Sequence, residues 1–347
     1  MIKQKSSVLT VDTKDLINTL EQRSSYPHPT SKIQTVITGA SVVFLTGEFV
    51  YKINKPVNFG FLDFSTLEKR KEQCEKEFNH NSLLSPSIYI GVSTLNLSKD
   101  GSLKIDTPGE IVEYAVKMKQ MDPNSTMDKL LKENKVTRHH IHELAQKIHA
   151  YHQIAPAGEE VQQFGSLQSI QFNWDENFSQ TESYIGPMIS KDQFTNLKKK
   201  IKNFIEENKE LFHDRVKKGN IKHCHGDFHS QNIFITKDQS HIFDGIVFNK
   251  RFPCSDVIAE VAFMAMDLDY HGKEELSYAL TEKYREITAD PDIYRLIDFY
   301  KCYRAYIRAK INCFTYDDPN LTPEKKQEVF YQAKAYFDLA EHYAHLL

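Results

Sequence analysis

The sequence predicts an α+β protein in which a small, β-rich N-terminal part precedes a larger, mostly helical part. Short runs rich in Val, Ile, Phe and Tyr, separated by turn residues, dominate the first 115 residues or so. Apolar residues at helical spacing dominate the remainder. The length of 347 residues leaves room for about two domains. We therefore divide the chain into residues 1–115 and 116–347.

The first elements are a short helix and a meander of three antiparallel strands. Residues 14–22 carry leucine and isoleucine at helical spacing, and two prolines in SYPHPTS end that pattern. The runs IQTVITG, SVVFLTG and FVYKINKPV follow, with turn residues between them. A polar helix is predicted over roughly 65–84. Two further strands, SIYIGVSTLNL and GSLKIDTPGEIVEYAVKM, flank the turn residues 98–101.

Helical patterns dominate after Pro123. Helices are predicted over 127–132, over 138–154 with Thr137 as N-cap, and as one long segment over 194–219. The segment NIFITKDQSHIFDGIVF, residues 232–248, predicts a β-hairpin with a turn at 237–240. From Asp256 onward the pattern is again mostly helical.

Composition excludes several functional classes. The net charge of −3 gives no electrostatic reason to expect a nucleic acid or an anionic membrane as partner. We expect no signal peptide, because MIKQKSSVLTVDT lacks an apolar core, and no window offers about 20 apolar residues for a membrane span. The five cysteines are scattered and form no CxxC pair. A cytoplasmic protein without an obligate protein partner is the simplest expectation.

The segment HCHGDFHSQNIF, residues 223–234, concentrates the chemistry-bearing side chains. One hypothesis is a zinc-dependent hydrolase, because His223, His225, Asp227 and His229 are possible zinc ligands. The spacing departs from the HxHxDH cluster of dinuclear zinc hydrolases, since Phe228 separates Asp227 from the next histidine. A β-hairpin also follows the segment, where those hydrolases have a helix.

The second hypothesis is phosphoryl transfer, which needs a carboxylate base, hard oxygen ligands for Mg²⁺ and a cation on the nucleotide phosphates. Asp227 follows His225 and Gly226, and Asn232 comes five positions later. The predicted hairpin then leads to Asp244. A hairpin returns the chain on itself, so we expect Asn232 and Asp244 to share one Mg²⁺ while Asp227 faces the substrate.

The segments HGDFHSQNIF and IFDGIVF resemble the aminoglycoside phosphotransferase and choline-kinase-like superfamily. Members of this superfamily have the triplet HGD at the position where protein kinases have HRD. YPHP, VVFLTGEFVYKINKPVNFGFLDFSTLEKRKEQCEKEF and YRAYIRAKI resemble one branch of it. That branch consists of uncharacterised proteins, many with an additional C-terminal P-loop kinase domain. The chain contains no GxxxxGK[ST] segment, so we expect that second domain to be absent. The resemblance extends over residues 14–347.

The resemblance implies a bilobal protein-kinase-like fold and Mg²⁺-dependent transfer of the γ-phosphoryl group of ATP or GTP to a hydroxyl of a small-molecule acceptor. It implies that Asp227 is the base, that His225 orients its loop and that Asn232 and Asp244 are the Mg²⁺ ligands. Lys52 would bind the nucleotide phosphates, with Glu77 or, as an alternative, Glu75 as its ion-pair partner. The phosphate-covering turn would contain Thr38, Gly39 and Ser41, and the hinge backbone that pairs with adenine would belong to Glu113 and Ala115. A nucleotide-binding pseudokinase without turnover is the alternative from another class.

Two departures from the superfamily pattern bear on the site. The glycine-rich loop is reduced to Gly39, so covering the nucleotide would depend on side chains such as Ser41. Glu260 stands where the superfamily usually has Asp, and we expect it to keep an equivalent hydrogen bond. Asp256 is expected to brace the catalytic loop.

A cationic stripe is predicted on one late helix. Lys301, Arg304 and Arg308 lie at i, i+3 and i+7, and Tyr300 is adjacent to them. In the superfamily, late helices of this lobe line the acceptor pocket, and a cationic stripe there would suit an acceptor with a carboxylate or a phosphate. Ion pairing with nearby acidic residues is the alternative. The identity of the acceptor, the choice of ATP or GTP and the oligomeric state stay open.

Overall fold

The structure is a computed structural model that describes residues 3–5, 8–60, 62–237 and 239–347. The chain forms two compact units. The first unit contains Met1–Ser125 and His241–Lys250, and the second contains Thr126–Ser240 and Arg251–Leu347. The first unit therefore combines the N-terminal part of the chain with the short segment His241–Lys250, which is distant in sequence.

The strands are β1 Lys3–Lys5, β2 Val8–Thr10, β3 Gln34–Ile37, β4 Ser41–Leu45, β5 Phe49–Asn54, β6 Tyr89–Leu97, β7 Leu103–Ile105, β8 Glu110–Lys119, β9 Ile221–His223, β10 Ile233–Ile235, β11 Ser240–Ile242 and β12 Cys254–Asp256. The helices are α1 Thr13–Leu20, α2 Leu67–Leu84, α3 Met127–Lys132, α4 Arg138–Ile154, α5 Glu159–Gln162, α6 Leu167–Thr181, α7 Lys191–Glu207, α8 Lys209–Lys217, α9 Val257–Tyr270, α10 Glu274–Thr288, α11 Ile293–Tyr316 and α12 Pro323–His345.

A six-stranded antiparallel sheet forms the first unit, with the order β3-β4-β5-β8-β6-β7. The β3–β4–β5 meander confirms the predicted strands, and β8 inserts between β5 and β6. The helix α2 packs against β6 and β8. The apolar core lies between the sheet, α1 and the segment that follows α1, and its buried residues include Leu16, Leu20, Phe44, Tyr51, Leu95 and Val112.

Helices build most of the second unit, as the sequence predicts. The long helices α11 and α12 pack along each other, and α9 packs against α10 and α11. Trp174 on α6 is 1% exposed and lies among the rings of Phe178, Phe299 and Tyr306. The single tryptophan is therefore a core residue. The described part of the chain contains no helix with the length and apolar content that crossing a membrane requires.

The predicted single helix over 194–219 is two helices, α7 and α8, that meet at Asn208. Asn208 leaves helical geometry, with φ −114° and ψ 22°, and its Nδ2 donates to the carbonyl oxygen of Phe204 at 2.9 Å. An asparagine side chain competes in this way with the backbone for helical hydrogen bonds. The periodicity continues across the break and therefore does not reveal it.

The predicted hairpin over 232–248 is present with shorter strands, β10 and β11, which pair with each other. Asp238 of its predicted turn lies outside the described residues. The second strand ends at Ile242, so Asp244 follows the strand and does not belong to it. Asp244 has φ 62°, in the left-handed region that residues other than glycine seldom adopt.

Candidate functional site

Three predicted residues meet in the first unit, around the ammonium group of Lys52 on β5. Lys52 Nζ lies 3.0 Å from Glu77 Oε1 on α2 and 2.8 Å from Asp244 Oδ1. The side chain of Glu77 is 4% exposed, whereas that of Asp244 is 50% exposed. Lys52 and Asp244 are 192 positions apart in the chain, so the fold alone brings them together.

Charge balance in this cluster keeps Lys52 protonated. Burial disfavours its charged form, but the carboxylates of Asp244 and Glu77 outweigh burial and raise the pKa of Lys52 well above its usual value. Burial raises the pKa of Glu77, and the proximity of Lys52 offsets only part of this effect. The alternative partner, Glu75, lies on the exposed side of α2, where it is 3.8 Å from Lys71.

Backbone contacts hold Asp244 in place. Its N–H donates to the Tyr89 hydroxyl at 3.0 Å, and the N–H of Gly245 donates to Asn81 Oδ1 at 2.7 Å. The Ser85 hydroxyl donates to the carbonyl oxygen of Ile242 at 2.8 Å. These bonds fix the left-handed turn at Asp244 and direct its carboxylate toward Lys52. Sequence reasoning missed Asn81, although its spacing of four from Glu77 places it on the same face of α2.

The predicted phosphate-covering residues form the tight turn between β3 and β4. Thr38 N–H donates to the Ser41 carbonyl oxygen at 2.9 Å, and Ser41 N–H donates to Thr38 Oγ1 at 3.0 Å. The two hydroxyls are also 3.0 Å apart. Space around the Cα of Gly39 is open, with no neighbouring atom within 4 Å of where a Cβ would lie. Side-chain hydrogen bonds therefore close this turn without a glycine-rich sequence.

The predicted hinge at Glu113 and Ala115 differs from the structure. Both residues lie inside β8, and Ala115 pairs with Ile53 of β5 on one side and Ser93 of β6 on the other. The Glu113 carboxylate is buried and receives two bonds from Arg70 Nε, at 2.8 and 2.9 Å. The backbone at 113–115 is thus part of a central strand. The first continuous segment of the unit ends only at Ser125.

Asp227, the predicted base, lies in the second unit on the loop between β9 and β10. Asn232 Nδ2 donates to Asp227 Oδ2 at 2.8 Å and to the Asp227 carbonyl oxygen at 3.0 Å. His229 Nε2 lies 3.3 Å from the same carboxylate. These contacts fix the orientation of the carboxylate, and its side chain remains 35% exposed.

The charge on Asp227 is stabilised by three cationic or polar neighbours. Burial opposes ionisation, but His229, His225 and Arg308 outweigh it, so the pKa of Asp227 lies below its ordinary value. The carboxylate is therefore ionised at neutral pH and can accept a proton. Asp227 N–H lies 3.3 Å from His225 Nδ1, which connects the histidine to the loop geometry.

Glu260 on α9 braces the loop that carries Asp227. Its Oε2 accepts from the N–H of His225 and its Oε1 accepts from the N–H of Gly226, both at 2.8 Å. His152 Nε2 lies 3.2 Å from Oε2, and the whole group is buried. Burial opposes ionisation, yet the contacts with His152 and His225 lower the pKa of Glu260 to about 2.

Asp256 does not brace the loop as expected. Its carboxylate accepts two bonds from Arg215, at 2.7 and 2.8 Å, and Oδ1 also caps α9 by accepting from the N–H of Ile258. Asp256 therefore anchors the start of the helix that carries Glu260. The bracing contact comes from the longer side chain one helical turn later.

The predicted cationic stripe on α11 separates into different roles. Lys301 pairs with Asp269 at 2.9 Å. Arg304 is 5% exposed, and its Nη1 and Nε donate to the carbonyl oxygens of Gly226 and Ala259, each at 3.2 Å. Tyr300 is 7% exposed and packs on Phe299. Arg304 therefore supports the loop, and both Arg304 and Tyr300 are buried.

The zinc hypothesis finds little support in the geometry. Among the described residues, the group that could converge on a metal is His152, Cys224 and Glu260, which includes none of the histidines of HCHGDFH. Both oxygens of Glu260 already accept hydrogen bonds from the loop backbone. His229 also caps a short helical turn by accepting from the N–H of Gln231.

Comparison with known proteins extends these observations. No protein-family model matches the chain. Uncharacterised proteins of Mycobacterium tuberculosis and Mycobacterium bovis are 27% identical over 276 residues, which is 80% of this chain and 54% of theirs. The chain thus spans about half the length of the curated relatives it matches.

Solved structures show the fold. A choline kinase from Cryptosporidium parvum is similar with a TM-score of 0.55 and 13% identity, over 95% of this chain and 96% of that one. A choline kinase from Streptococcus pneumoniae gives a TM-score of 0.51 and 10% identity, over 89% and 94%. A candidate aminoglycoside phosphotransferase from Ralstonia eutropha gives 0.52 and 12%, over 96% and 98%. The chain therefore has the fold of these choline kinases and of this phosphotransferase, the kinase-like α+β fold that the sequence predicts.

Proposed function

We propose that the protein is a phosphotransferase that moves the γ-phosphoryl group of ATP or GTP to a hydroxyl of a small-molecule acceptor, with Mg²⁺ as cofactor. The observation that carries this proposal is the position of Lys52 Nζ between Glu77 and Asp244, at 3.0 and 2.8 Å. An ion pair between a strand lysine and a helix glutamate, next to a metal-binding aspartate, is the arrangement that phosphoryl transfer uses. No packing requirement calls for a half-buried lysine between two carboxylates.

Asp227 would act as the base. The acceptor hydroxyl loses its proton to a carboxylate oxygen of Asp227 as its oxygen forms a bond to the γ-phosphorus. The bond from that phosphorus to the bridging oxygen breaks, and the nucleoside diphosphate leaves with the electron pair. The low pKa of Asp227 keeps it ionised for this role, and the bonds from Glu260 to the loop backbone hold it in position.

The donor atoms fit a hard cation. Asn232 uses Nδ2 for its two bonds to Asp227, which leaves Oδ1 as its metal-binding atom. Asp244 offers a carboxylate that is half exposed. Amide and carboxylate oxygens are the ligands that Mg²⁺ prefers, and the bound ion neutralises charge on the phosphates. We propose that Asn232 and Asp244 hold it and that Lys52 binds the nucleotide phosphates.

The setting and partners are part of the same proposal. Choline kinases share the fold, and this makes a small-molecule acceptor the simplest substrate class. All five cysteines are free and buried, in keeping with a reducing cytoplasm. We propose that the protein acts without a nucleic acid, a membrane or an obligate protein partner.

A thermal-shift titration tests the nucleotide site. Wild type, Asp244→Ala and the control Asp100→Ala, which changes an exposed turn residue, are titrated with Mg²⁺ and ATP or GTP. We expect a Mg²⁺-dependent rise in melting temperature for wild type and the control, because a ligand that binds only the folded state stabilises it. Asp244→Ala should lose the rise. No rise in wild type with either nucleotide would contradict the proposal.

A turnover assay with Asp227→Asn then separates an enzyme from a pseudokinase. We expect a fall in the transfer rate of about 10²- to 10⁴-fold, which is the usual contribution of a positioned base. Binding of Mg²⁺-nucleotide should persist in this variant. Nucleotide binding by wild type without turnover of any acceptor would instead assign a nucleotide-binding regulatory module.

A further inference from the structure

Arg308 on α11 differs from the other two cations of the predicted stripe, because its side chain hydrogen-bonds to Tyr336 but forms no ion pair with a described residue. Lys301 is paired with Asp269, and Arg304 donates to backbone carbonyls of the loop and α9. Among the described residues, Arg308 forms no ion pair within 4.0 Å, and the donor Nε is buried without a hydrogen-bond partner. A buried donor atom without a partner is costly, so the Nε–H of this half-buried side chain calls for an explanation.

The surroundings of Arg308 place it beside the catalytic loop. It lies one helical turn beyond Arg304, whose Nη1 touches the carbonyl oxygen of Gly226, the residue before Asp227. Arg308 is also among the groups whose positive charge lowers the pKa of Asp227. The charge of the guanidinium therefore acts on the carboxylate that would accept the hydroxyl proton, although no ion pair joins the two groups.

An aromatic surface adjoins the guanidinium. Tyr336 on α12 has its ring centre 5.7 Å from Arg308 Cζ. Tyr336 stacks on Tyr270 of α9, with ring centres 4.1 Å apart and planes inclined by 10°. Tyr270 and Arg308 are half-buried, so both retain accessible surface. A planar cation next to accessible aromatic surface is a suitable anchor for a small organic anion.

We propose that Arg308 binds an anionic group, a carboxylate or a phosphate, on the acceptor whose hydroxyl is phosphorylated beside Asp227. The inference rests on the proposed function and names its substrate class. A guanidinium presents a planar fork of donors that matches both anions, and an anion would satisfy the unpaired Nε–H. Arg308 would then select acceptors that are both acidic and hydroxylated, in contrast to the cationic choline of the structural neighbours.

The test compares acceptors with matched carbon skeletons. One set is glycerol, glycerate and glycerol 3-phosphate, and the other is glucose, gluconate and glucose 6-phosphate; choline is the cationic comparison. Release of nucleoside diphosphate is measured for wild type, Arg308→Gln, Arg308→Lys and the control Arg295→Gln. Arg295 lies on the same helix and is exposed, with contacts to Asp292 at 3.5 Å and to Asn208 Oδ1 at 3.4 Å.

We expect wild type to prefer the anionic acceptors of each set over the neutral one. Whether the carboxylate or the phosphate acceptor reacts faster identifies the anion that Arg308 binds. Arg308→Gln should raise KM for that acceptor by about 10- to 100-fold, the range for loss of charged hydrogen bonds. Arg308→Lys should recover part of this loss, because it keeps the charge without the fork. Arg295→Gln should behave as wild type.

Three results would overturn the inference. The first is a preference for neutral acceptors or choline. The second is a fall in kcat that is equal for all acceptors in Arg308→Gln, since that would place Arg308 on the transferred phosphoryl group. If no acceptor turns over, glycerate, glycerol 3-phosphate, gluconate and glucose 6-phosphate are tested at millimolar concentration by thermal shift in the presence of Mg²⁺-ADP. The third result would be a rise in melting temperature that is the same in wild type and in Arg308→Gln. The Asp244 titration reports separately on the nucleotide site, so its failure is distinguishable.

Discussion

Glu260 Oε1 accepts a hydrogen bond from the backbone N–H of Gly226 at 2.8 Å, directly before the residue that we propose as the base. Its second oxygen serves the N–H of His225 and lies 3.2 Å from His152. One carboxylate therefore sets the course of the backbone into Asp227. The loop that carries Asp227 therefore depends on a buried charge.

Removing this carboxylate should destabilise the protein. Glu260→Ala leaves two buried N–H groups unsatisfied, and we expect the free energy of unfolding to fall by about 3 kcal/mol. Glu260→Gln keeps one acceptor oxygen and should lose less. Urea denaturation of both variants, with the exposed Glu207→Ala as control, measures the effect. A loss below about 0.5 kcal/mol in Glu260→Ala would show that the loop is held by other contacts.

Acid should weaken the same contact. Glu260 has a pKa of about 2, lower than its ordinary 4.5, so its ionised form stabilises the folded state above pH 4.5. This stabilisation, about 3 kcal/mol by the pKa difference, is lost as pH falls from 4.5 toward 2. Glu260→Gln cannot titrate at this position. We expect its unfolding free energy to fall less steeply over that pH range than that of wild type, and parallel curves would refute the assignment.

Two glutamates of α2 should differ in their effect on activity. Glu77 is buried 3.0 Å from Lys52 Nζ, whereas Glu75 is exposed beside Lys71. Glu77→Gln removes a charge that positions the lysine, and we expect kcat/KM for the Mg²⁺-nucleotide to fall by about 10- to 100-fold. Glu75→Gln is the matched control and should leave steady-state kinetics unchanged. Equal losses in both variants would argue against the ion pair as the positioning contact.

Glu113 should matter for stability. Its carboxylate compensates the buried Arg70, so Glu113→Ala leaves an uncompensated charge and should cost about 3 to 5 kcal/mol in unfolding free energy. The double variant Arg70→Met with Glu113→Leu should recover most of this loss. Chemical denaturation checks both expectations. Unchanged stability in Glu113→Ala would contradict a stabilising role for the pair with Arg70.

Local pattern predicted much of the fold. The helices over 127–132 and 138–154 agree with the predicted bounds, because their apolar spacing and their N-terminal residues are local signals. The three-stranded meander was equally readable from its turn residues. The break at Asn208 was not readable, since the apolar period continues through it.

The site shows where such reasoning ends. The chain order of Asp227, Asn232 and Asp244 is a sequence signal, and so is a lysine on the third strand of the meander. Whether Asp256 or Glu260 reaches the loop depends on where Arg215 and the loop lie in the folded chain, and the sequence pattern does not show this. Helical spacing placed Arg304 and Arg308 on one face of α11. It does not show that only Arg304 donates hydrogen bonds to backbone carbonyls.

The composition of the first unit has a consequence for biosynthesis. His241–Lys250 belongs to the same compact body as the N-terminal sheet and carries Asp244, the second partner of Lys52. A ribosome reaches this segment only after a further hundred or so residues, which takes roughly ten seconds at ordinary elongation rates. During that interval the nascent sheet carries the Lys52–Glu77 pair without its third member. The N-terminal unit therefore matures after much of the helical unit has been translated, even though it begins the chain.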